Sequence, residues 1–197
     1  MAKQTKAKSN TLRIIGGQWR GRLLRFPDVL GLRPTPDRVR ETLFNWLQTV
    51  IPGACCLDCC AGSGALGFEA ASRGALHVDM VEPHRHAFQQ LQTNALHLQA
   101  ATCEVHQMSA QQFIANSRVA YDVVFLDPPY QAGLWTVLAE MLSERNLLKP
   151  EATIYLECAA KQALPRLPAD WQLLKDKIAG DVRYCLFSKS AGKQSDE

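Results

Sequence analysis

Long apolar runs are missing from this 197-residue sequence. No stretch reaches the 18 or more consecutive apolar residues that a membrane-spanning helix needs. Lys3, Lys6 and Lys8 are not followed by an apolar segment, so we do not expect a secretory signal peptide. The sequence therefore excludes a membrane protein of the helical type and favours an ordinary globular domain.

A disulfide framework is also lacking. The seven cysteines are an odd number, which favours a reduced, cytoplasmic location. Cys56 and Cys59 form a CxxC pattern, but no second ligand pair at metal-binding spacing follows it. We therefore expect buried, apolar thiols and no metal site.

Negative charge is scarce in the first 40 residues, which hold ten basic and two acidic residues, a net charge of +8. Residues 41–197 hold 12 basic and 17 acidic residues, a net charge of −5. This asymmetry predicts a polyanionic partner that docks at the N-terminal segment. The candidate contact residues are Arg13, Trp19, Arg20, Arg22, Arg33 and Arg38, with the tryptophan available for stacking.

Strand-like and helix-like segments alternate from about residue 53, which predicts an α/β fold with a mostly parallel sheet. We expect a basic tail at 1–10, an extension at 11–50 that binds the polyanionic partner, a main domain at 51–190 and a polar tail at 191–197. In the extension, short strands precede a helix that reaches about residue 50, with Thr35 as its N-cap. The predicted strands of the main domain are 54–59, 76–82, 102–107, 121–126, 152–158, 171–178 and 182–188, the last two forming a hairpin. The predicted helices are 64–73, 84–98, 110–117 and 133–145.

A glycine-rich loop follows the first strand of the main domain. Gly62, Gly64 and Gly67 fit the pattern GxGxxG, and Glu82 ends the next strand, where a carboxylate can hold ribose hydroxyls. This pattern alone fits both a nicotinamide oxidoreductase and a methyltransferase. Asp58 favours the methyltransferase, because an acid before the glycines suits the ammonium group of S-adenosylmethionine and would repel a pyrophosphate.

The fourth strand runs into Asp127-Pro128-Pro129-Tyr130. If the strand order is 3-2-1-4-5, this motif lies at the switch point beside Asp58 and Glu82. Asp127 and the Pro128 carbonyl can accept hydrogen bonds from an exocyclic amine, and Tyr130 offers a face for stacking a base. The motif predicts methyl transfer to an amino group, without a metal.

The segments Arg13–Arg22 and Leu32–Leu47, together with Asp127–Tyr130 and the closing hairpin, closely resemble the bacterial RsmD family, the 16S rRNA (guanine(966)-N2)-methyltransferases. The resemblance covers roughly residues 11–190. It implies a monomeric class I methyltransferase (Rossmann-like) fold with a seven-stranded sheet, and 16S rRNA in an assembling small ribosomal subunit as the substrate. The Asp127–Tyr130 motif alone does not distinguish guanine from adenine, because it also fits transfer to adenine N6 of DNA or RNA. The resemblance of the N-terminal segments is what favours guanine.

The candidate site residues follow from these motifs. Those expected at the chemical step are Asp127, Pro128, Pro129 and Tyr130. Those expected to bind S-adenosylmethionine are Asp58, Cys60, Ala61, Gly62, Gly64, Glu82, Pro83, Ser109, Ala110 and Asp127. Met108-Ser109-Ala110 stands where many methyltransferases have an acid, so adenine recognition there would rest on backbone groups. A catalytically silent RNA-binding module is the remaining alternative.

Overall fold

A computed structural model of the chain describes residues 10–29, 34–129 and 133–191. Two short strands, β1 (Asn10–Arg13) and β2 (Leu23–Phe26), precede the first helix, α1 (Asp37–Trp46). Strands and helices then alternate: β3 (Cys55–Asp58), α2 (Ala65–Ser72), β4 (His77–Val81), α3 (Arg85–Leu98), β5 (Cys103–His106), α4 (Ala110–Asn116), β6 (Tyr121–Leu126) and α5 (Trp135–Glu144). Three strands close the fold: β7 (Leu148–Ala159), β8 (Trp171–Ala179) and β9 (Val182–Lys189).

The seven strands from β3 onward form one sheet in the order β5-β4-β3-β6-β7-β9-β8. Strands β5, β4, β3, β6 and β7 are parallel, whereas β9 pairs antiparallel with both β7 and β8. From β3 the chain first adds β4 and β5 on one side of the sheet and then adds β6 and β7 on the other side. The switch point of the sheet therefore lies between β3 and β6. Ligands of open α/β sheets bind at such a switch point, outside the carboxyl ends of the strands.

Both faces of the sheet are covered, because side chains of successive strand residues point to opposite faces. On one face, Val123 and Phe125 of β6 pack in a cluster with residues of α1, α2 and the β1–β2 hairpin. On the other, Val124 and Leu126 pack in a cluster with residues of α4 and α5. The near-continuous burial of β6 is typical of a central strand in a parallel sheet.

The predicted α/β class, the parallel sheet and the closing hairpin are confirmed. The main differences lie at the ends of elements. Helix α1 ends at Trp46 and is followed by turns, so the predicted extension to residue 50 is wrong. The predicted N-cap is also wrong: Pro36 occupies that position, and no side chain caps the helix.

A buried network joins the N-terminal segment to α2. Both Glu69 and Arg40 are fully buried, and Glu69 Oε2 lies 3.5 Å from Arg40 Nη1. The Glu69 carboxylate accepts the backbone N–H groups of Ile15 and Gly16, each at 2.8 Å, and the side chain of Arg73 at 2.8 Å. The polar atoms of this carboxylate therefore have partners on three different parts of the chain, as a buried charge requires.

A second polar network crosses the sheet at Asp79 of β4. Its carboxylate accepts hydrogen bonds from Tyr121 Oη at 2.7 Å and pairs with His106 Nε2 at 2.6 Å. His77 and Glu104 also lie close, with ligand-type atoms of His77, Asp79 and Glu104 within 4.8 Å of one another. Because β5 and β6 both supply partners to Asp79, this network stabilises the strand order around β4.

We predict that Glu69→Gln destabilises the protein by about 3–5 kcal/mol, because it leaves the Arg40 guanidinium without its buried counter-charge. The glutamine amide would also face a backbone N–H of Ile15 or Gly16. The measurement is the free energy of unfolding by urea denaturation, with limited proteolysis to test whether residues 10–29 become accessible.

The matched control is Asp176→Asn, which breaks the partly exposed Asp176–Arg183 pair, Oδ2 to Nη2 2.6 Å. We expect a loss of about 1 kcal/mol or less there, since exposed ion pairs contribute little. Equal effects of the two substitutions would contradict the role given to Glu69.

Candidate active site

The glycine-rich loop after β3 is closed by backbone hydrogen bonds. Cys59 N donates to Phe125 O at 3.1 Å, and Ala61 N donates to Val81 O at 2.9 Å, so the loop is held by both neighbouring strands. Gly64 has a φ of 80°, and an added Cβ would lie 2.5 Å from the Phe68 ring. Only glycine fits this position, which lets the chain turn directly into α2.

Asp58 lies at the end of β3 and is 2% exposed. Its Oδ2 accepts the backbone N–H of Gly67 at 3.0 Å, and the backbone N–H of Cys60 also acts to lower its pKa. Burial raises the pKa of this carboxyl to about 7, against the opposing effect of these two N–H groups. In this structure Asp58 therefore orders the glycine-rich loop and α2, which extends the role expected from the sequence.

Glu82 ends β4 and joins two loops. Its Oε2 accepts Gly62 N at 2.9 Å, and its Oε1 accepts His84 N at 2.8 Å. Burial raises the pKa of Glu82, whereas the two backbone N–H groups lower it. Each carboxylate oxygen can accept more than one hydrogen bond, so Glu82 can also receive hydroxyl donors from a ligand.

Asp127 follows β6 directly, with Pro128 buried and Pro129 exposed behind it. Tyr130 lies outside the described residues. Desolvation raises the pKa of Asp127 well above its ordinary range, and the nearby carboxylates Glu157 and Asp58 raise it further. The Thr35 side chain lowers the pKa of Asp127 and so acts in the opposite direction.

Asp58 lies near enough to both Glu82 and Asp127 for the carboxylates to influence one another's pKa. Glu82 raises the pKa of Asp58, and Asp58 raises that of Asp127. These three acids come from three adjacent strands and meet at the carboxyl edge of the sheet. Such a group of carboxylates is suited to a ligand with positive charge and hydrogen-bond donors.

The remaining predicted cofactor residues line the same edge. Cys60 is close enough to Asp127 and Glu82 for both to raise its pKa, after the larger effect of burial. Pro83 is exposed, and Ala110 is buried. Ser109 caps α4: its hydroxyl accepts Gln112 N at 3.2 Å in a capping box. The Ser109 side chain is therefore used within the protein.

The two cysteines of the CxxC pattern behave as buried apolar residues. Cys56 and Cys59 are at most 1% exposed, and burial raises the pKa of both thiols far above the ordinary value. A thiol held in its neutral form is a poor nucleophile and a poor metal ligand. The CxxC pattern therefore reflects packing of β3 in the sheet.

In the N-terminal segment the predicted RNA-binding arginines and the tryptophan differ in exposure. Arg13, Arg20, Arg22 and Arg38 are exposed, whereas Arg33 lies outside the described residues. Arg22 Nη2 donates to His97 O at 3.1 Å, which ties β2 to α3. Trp19 is buried in the core at 9% exposure, so the prediction that it stacks on a base is wrong. Its apolar ring serves packing, and its backbone N–H donates to Ser72 Oγ at 3.0 Å.

Two residues near Asp127 were missed in the sequence. Glu157 of β7 is 5% exposed and receives a hydrogen bond from Tyr155 Oη at 2.7 Å. A charged residue within the otherwise apolar strand 152–158 was an available signal. Thr35 carried no such signal, because a threonine before a helix is an ordinary N-cap.

The strand order, the glycine-rich loop and the acids at the ends of β3, β4 and β6 define a class I S-adenosylmethionine-dependent methyltransferase fold. A family model described as "Conserved hypothetical protein 95" matches residues 12–188. The chain belongs to this family, the RsmD family. Among the described residues, no helix has the length and apolar character to cross a membrane.

The chain is similar to proteins named ribosomal RNA small subunit methyltransferase D. It is 47% identical to that of Escherichia coli K12 over 196 residues, which cover 100% of this chain and 99% of the relative. The protein of Haemophilus influenzae is 44% identical, with 93% of this chain and 97% of the relative covered.

Solved structures show the same fold. The yhhF methyltransferase structure of Escherichia coli superposes with a TM-score of 0.86 at 48% identity, covering 92% of this chain and 99% of that one. The Thermus thermophilus 16S rRNA N2 G1207 methyltransferase RsmC, in complex with AdoMet and guanosine, gives a TM-score of 0.65 at 20% identity. It covers 92% of this chain and 50% of that one, and it shows the fold alone.

Proposed function

We propose that this protein transfers a methyl group from S-adenosylmethionine to the exocyclic N2 of a guanine in 16S rRNA, during assembly of the small ribosomal subunit. The observation that carries the proposal is the position of Asp127, which follows β6 directly at the switch point of the sheet, next to β3 and its terminal Asp58. The names of the relatives that match the full chain support the RNA substrate. We propose a cytoplasmic, monomeric enzyme, in keeping with its free thiols.

The residues at the carboxyl edge fit the cofactor. Glu82 is a buried carboxylate that meets only hydrogen-bond donors in the contacts above, which suits ribose hydroxyls. Asp58 and the loop residues Cys60, Ala61, Gly62 and Gly64 would surround the methionine part, whose ammonium group complements the acidic site. Pro83, Ser109 and Ala110 would lie at the adenine. The cofactor supplies an electrophilic methyl group on a sulfonium centre.

Asp127 and the Pro128 carbonyl would accept hydrogen bonds from the guanine amine. That amine is a weak nucleophile because its lone pair is delocalised into the ring. Two fixed acceptors hold the nitrogen with its lone pair directed at the methyl carbon. As the new N–C bond formed and the methyl–sulfur bond broke, leaving a neutral thioether, the nitrogen would become positive and its hydrogen bond to Asp127 would strengthen. The raised pKa of Asp127 lets it take the proton that the methylated nitrogen must lose.

The test of the proposal is transfer of labelled methyl from S-adenosylmethionine to naked 16S rRNA and to assembling small-subunit particles. Nuclease digestion and mass spectrometry would locate the product. We expect a single N2-methylguanine. Label on adenine N6, or on another amine, would contradict the proposed base while leaving the class of reaction intact, and no label on any RNA would favour a silent binding module.

We predict that Glu82→Ala weakens binding of S-adenosylmethionine by about 1–3 kcal/mol, because buried ribose hydroxyls lose their acceptor. The measurement is titration calorimetry. Since Glu82 also holds Gly62 N and His84 N, thermal melting of the free variant must show that the fold persists. An affinity equal to that of the wild type would remove Glu82 from the cofactor site.

We predict that Asp127→Ala lowers turnover by about 10²–10³-fold while binding of S-adenosylmethionine changes little. The hydrogen bond of Asp127 is strongest in the transition state, so we expect the substitution to lower kcat. Asp127→Asn is expected to be milder, since an amide oxygen still accepts a hydrogen bond. The measurement is the single-turnover rate of each Asp127 variant at saturating cofactor and RNA. A folded Asp127→Ala enzyme with wild-type turnover would rule out this mechanism.

We predict that Arg20→Gln and Arg38→Gln each weaken RNA binding and flatten the dependence of log K on log salt by roughly 0.7–0.9. Both side chains are exposed, so the substitutions spare the core. The matched control is Arg145→Gln, exposed at the end of α5 on the other face of the sheet. Filter binding from 50 to 300 mM salt is the measurement, and an equal effect of Arg145→Gln would contradict the N-terminal docking surface.

A further inference from the structure

Three side chains with metal-ligand atoms meet near the β5 edge of the sheet. They are His77 and Asp79 of β4 and Glu104 of β5, and their ligand-type atoms lie within 4.8 Å of one another. His77 Nε2 lies 3.2 Å from Asp79 Oδ2. Ligand atoms bound to one zinc ion are about 3–4 Å apart, so two of the three residues already have the required separation.

The pairing of β4 with β5 produces this arrangement. Asp79 is the Cα partner of Glu104 in the parallel ladder, and His77 precedes Asp79 by two residues, so all three side chains lie on one face of the sheet. Glu104 is exposed, so its carboxylate can approach the other two by a change of rotamer. The sequence carried no metal-binding spacing here, because these residues are brought together only by the pairing of the strands.

Asp79 is the anchored member of the three. Its side chain is 6% exposed, and its carboxylate is held by Tyr121 Oη at 2.7 Å and by His106 Nε2 at 2.6 Å. The His106 ring in turn packs against Phe113 of α4, with the ring centroids 4.8 Å apart. Partners of this kind fix the orientation of a ligating carboxylate and commonly surround the ligands of metal sites.

The charge of the cluster favours a bound cation. In the part of the chain that the structure describes, both ion-pair partners of Asp79 are histidines, which are positive only when protonated. A buried carboxylate without a permanent positive partner is costly. With a neutral His77, the two carboxylates of Asp79 and Glu104 carry the charge that one divalent ion neutralises.

We propose that His77, Asp79 and Glu104 bind a divalent transition-metal ion such as Zn²⁺, with water completing the coordination on the exposed side. One imidazole nitrogen and two carboxylate oxygens are donors that suit such ions. The ion joins β4 to the edge strand β5 and so stabilises the fold. Asp79 precedes Glu82 by three residues, about 10 Å along the chain, so the ion is separate from the proposed cofactor site.

The first test is calorimetric titration of chelator-treated protein with Zn²⁺, without RNA or S-adenosylmethionine. We expect one ion per chain, with a dissociation constant in the micromolar range or lower. Loss of an outer-shell partner alone lowers metal affinity about 10–100-fold, so His77→Ala and Glu104→Gln, which each remove a ligand, are expected to lower it at least as far. Circular dichroism confirms the fold of each variant. Unchanged affinity in either folded variant overturns the proposal.

The matched control is His86→Ala. His84 and His86 are exposed at the start of α3 with their rings 5.6 Å apart, and such a surface pair can bind Zn²⁺ by itself. We expect His86→Ala to bind Zn²⁺ as the wild type does. A loss of affinity as large as that of His77→Ala would place the ion on the surface pair and overturn the proposal.

Cobalt distinguishes the proposed donors from the thiols, of which the half-buried Cys103 adjoins Glu104 in sequence. Co²⁺ bound by a thiolate shows sulfur-to-metal charge-transfer absorption, which nitrogen and oxygen ligands do not produce. We expect Co²⁺ to bind without this absorption and to be displaced by Zn²⁺. A charge-transfer band that grows with added Co²⁺ would place the ion on a cysteine and overturn the proposal.

Thermal unfolding tests the stabilising role of the ion. Zn²⁺ at 100 times its Kd is expected to raise the Tm of the wild type by about 5–10 °C, because it binds the folded state. Glu104→Gln is expected to abolish this rise, whereas its Tm in chelator stays within about 2 °C of the wild type, since the side chain is exposed. No rise for the wild type, or an equal rise for the variant, overturns the proposal whatever the substrate of methyl transfer.

Discussion

The buried pair of Glu69 and Arg40 connects the parts of this molecule that would otherwise be independent. Glu69 belongs to α2, which begins directly after the glycine-rich loop, and Arg40 belongs to α1. Through Ile15 and Gly16 the same carboxylate also holds the turn between β1 and β2. A buried pair of this kind adds little net stability compared with an apolar core, but breaking it is costly, so it specifies one arrangement of the three segments.

The active edge of the sheet shows the opposite electrostatic situation. Asp58, Glu82, Asp127 and Glu157 come from four adjacent strands, and burial raises the pKa of the first three. Collecting acids in this way costs stability as the pH rises, since the folded state binds their protons more tightly than the unfolded chain does. A cationic ligand would relieve that cost. The proposed cofactor, with a sulfonium and an ammonium group, has the matching charge.

The sequence was sufficient for features that depend on local pattern. The alternation of strands and helices predicted the parallel sheet, and the position of Asp127 after an apolar strand predicted its place at the switch point. The sequence was insufficient where a residue's role depends on a distant partner. Thr35 has the local context of an N-cap yet is buried without capping α1, and Trp19 stands among arginines yet packs in the core. Local propensity describes neighbours in sequence, and these two side chains are placed by tertiary contacts.

The burial of Trp19 changes how the basic segment can act. Leu12, Ile14 and Leu24 join it in the core, so the exposed arginines beside them stand on a packed surface and are not carried on a flexible tether. A fixed surface loses little conformational freedom on binding a polyanion and holds it at a constant distance from the catalytic loop. The turn between β1 and β2 is also held by the Glu69 carboxylate of α2, the helix that follows the glycine-rich loop. Docking of RNA and placement of the glycine-rich loop would therefore share one rigid support, anchored by Glu69 and Arg40, and a shift in that support would affect both.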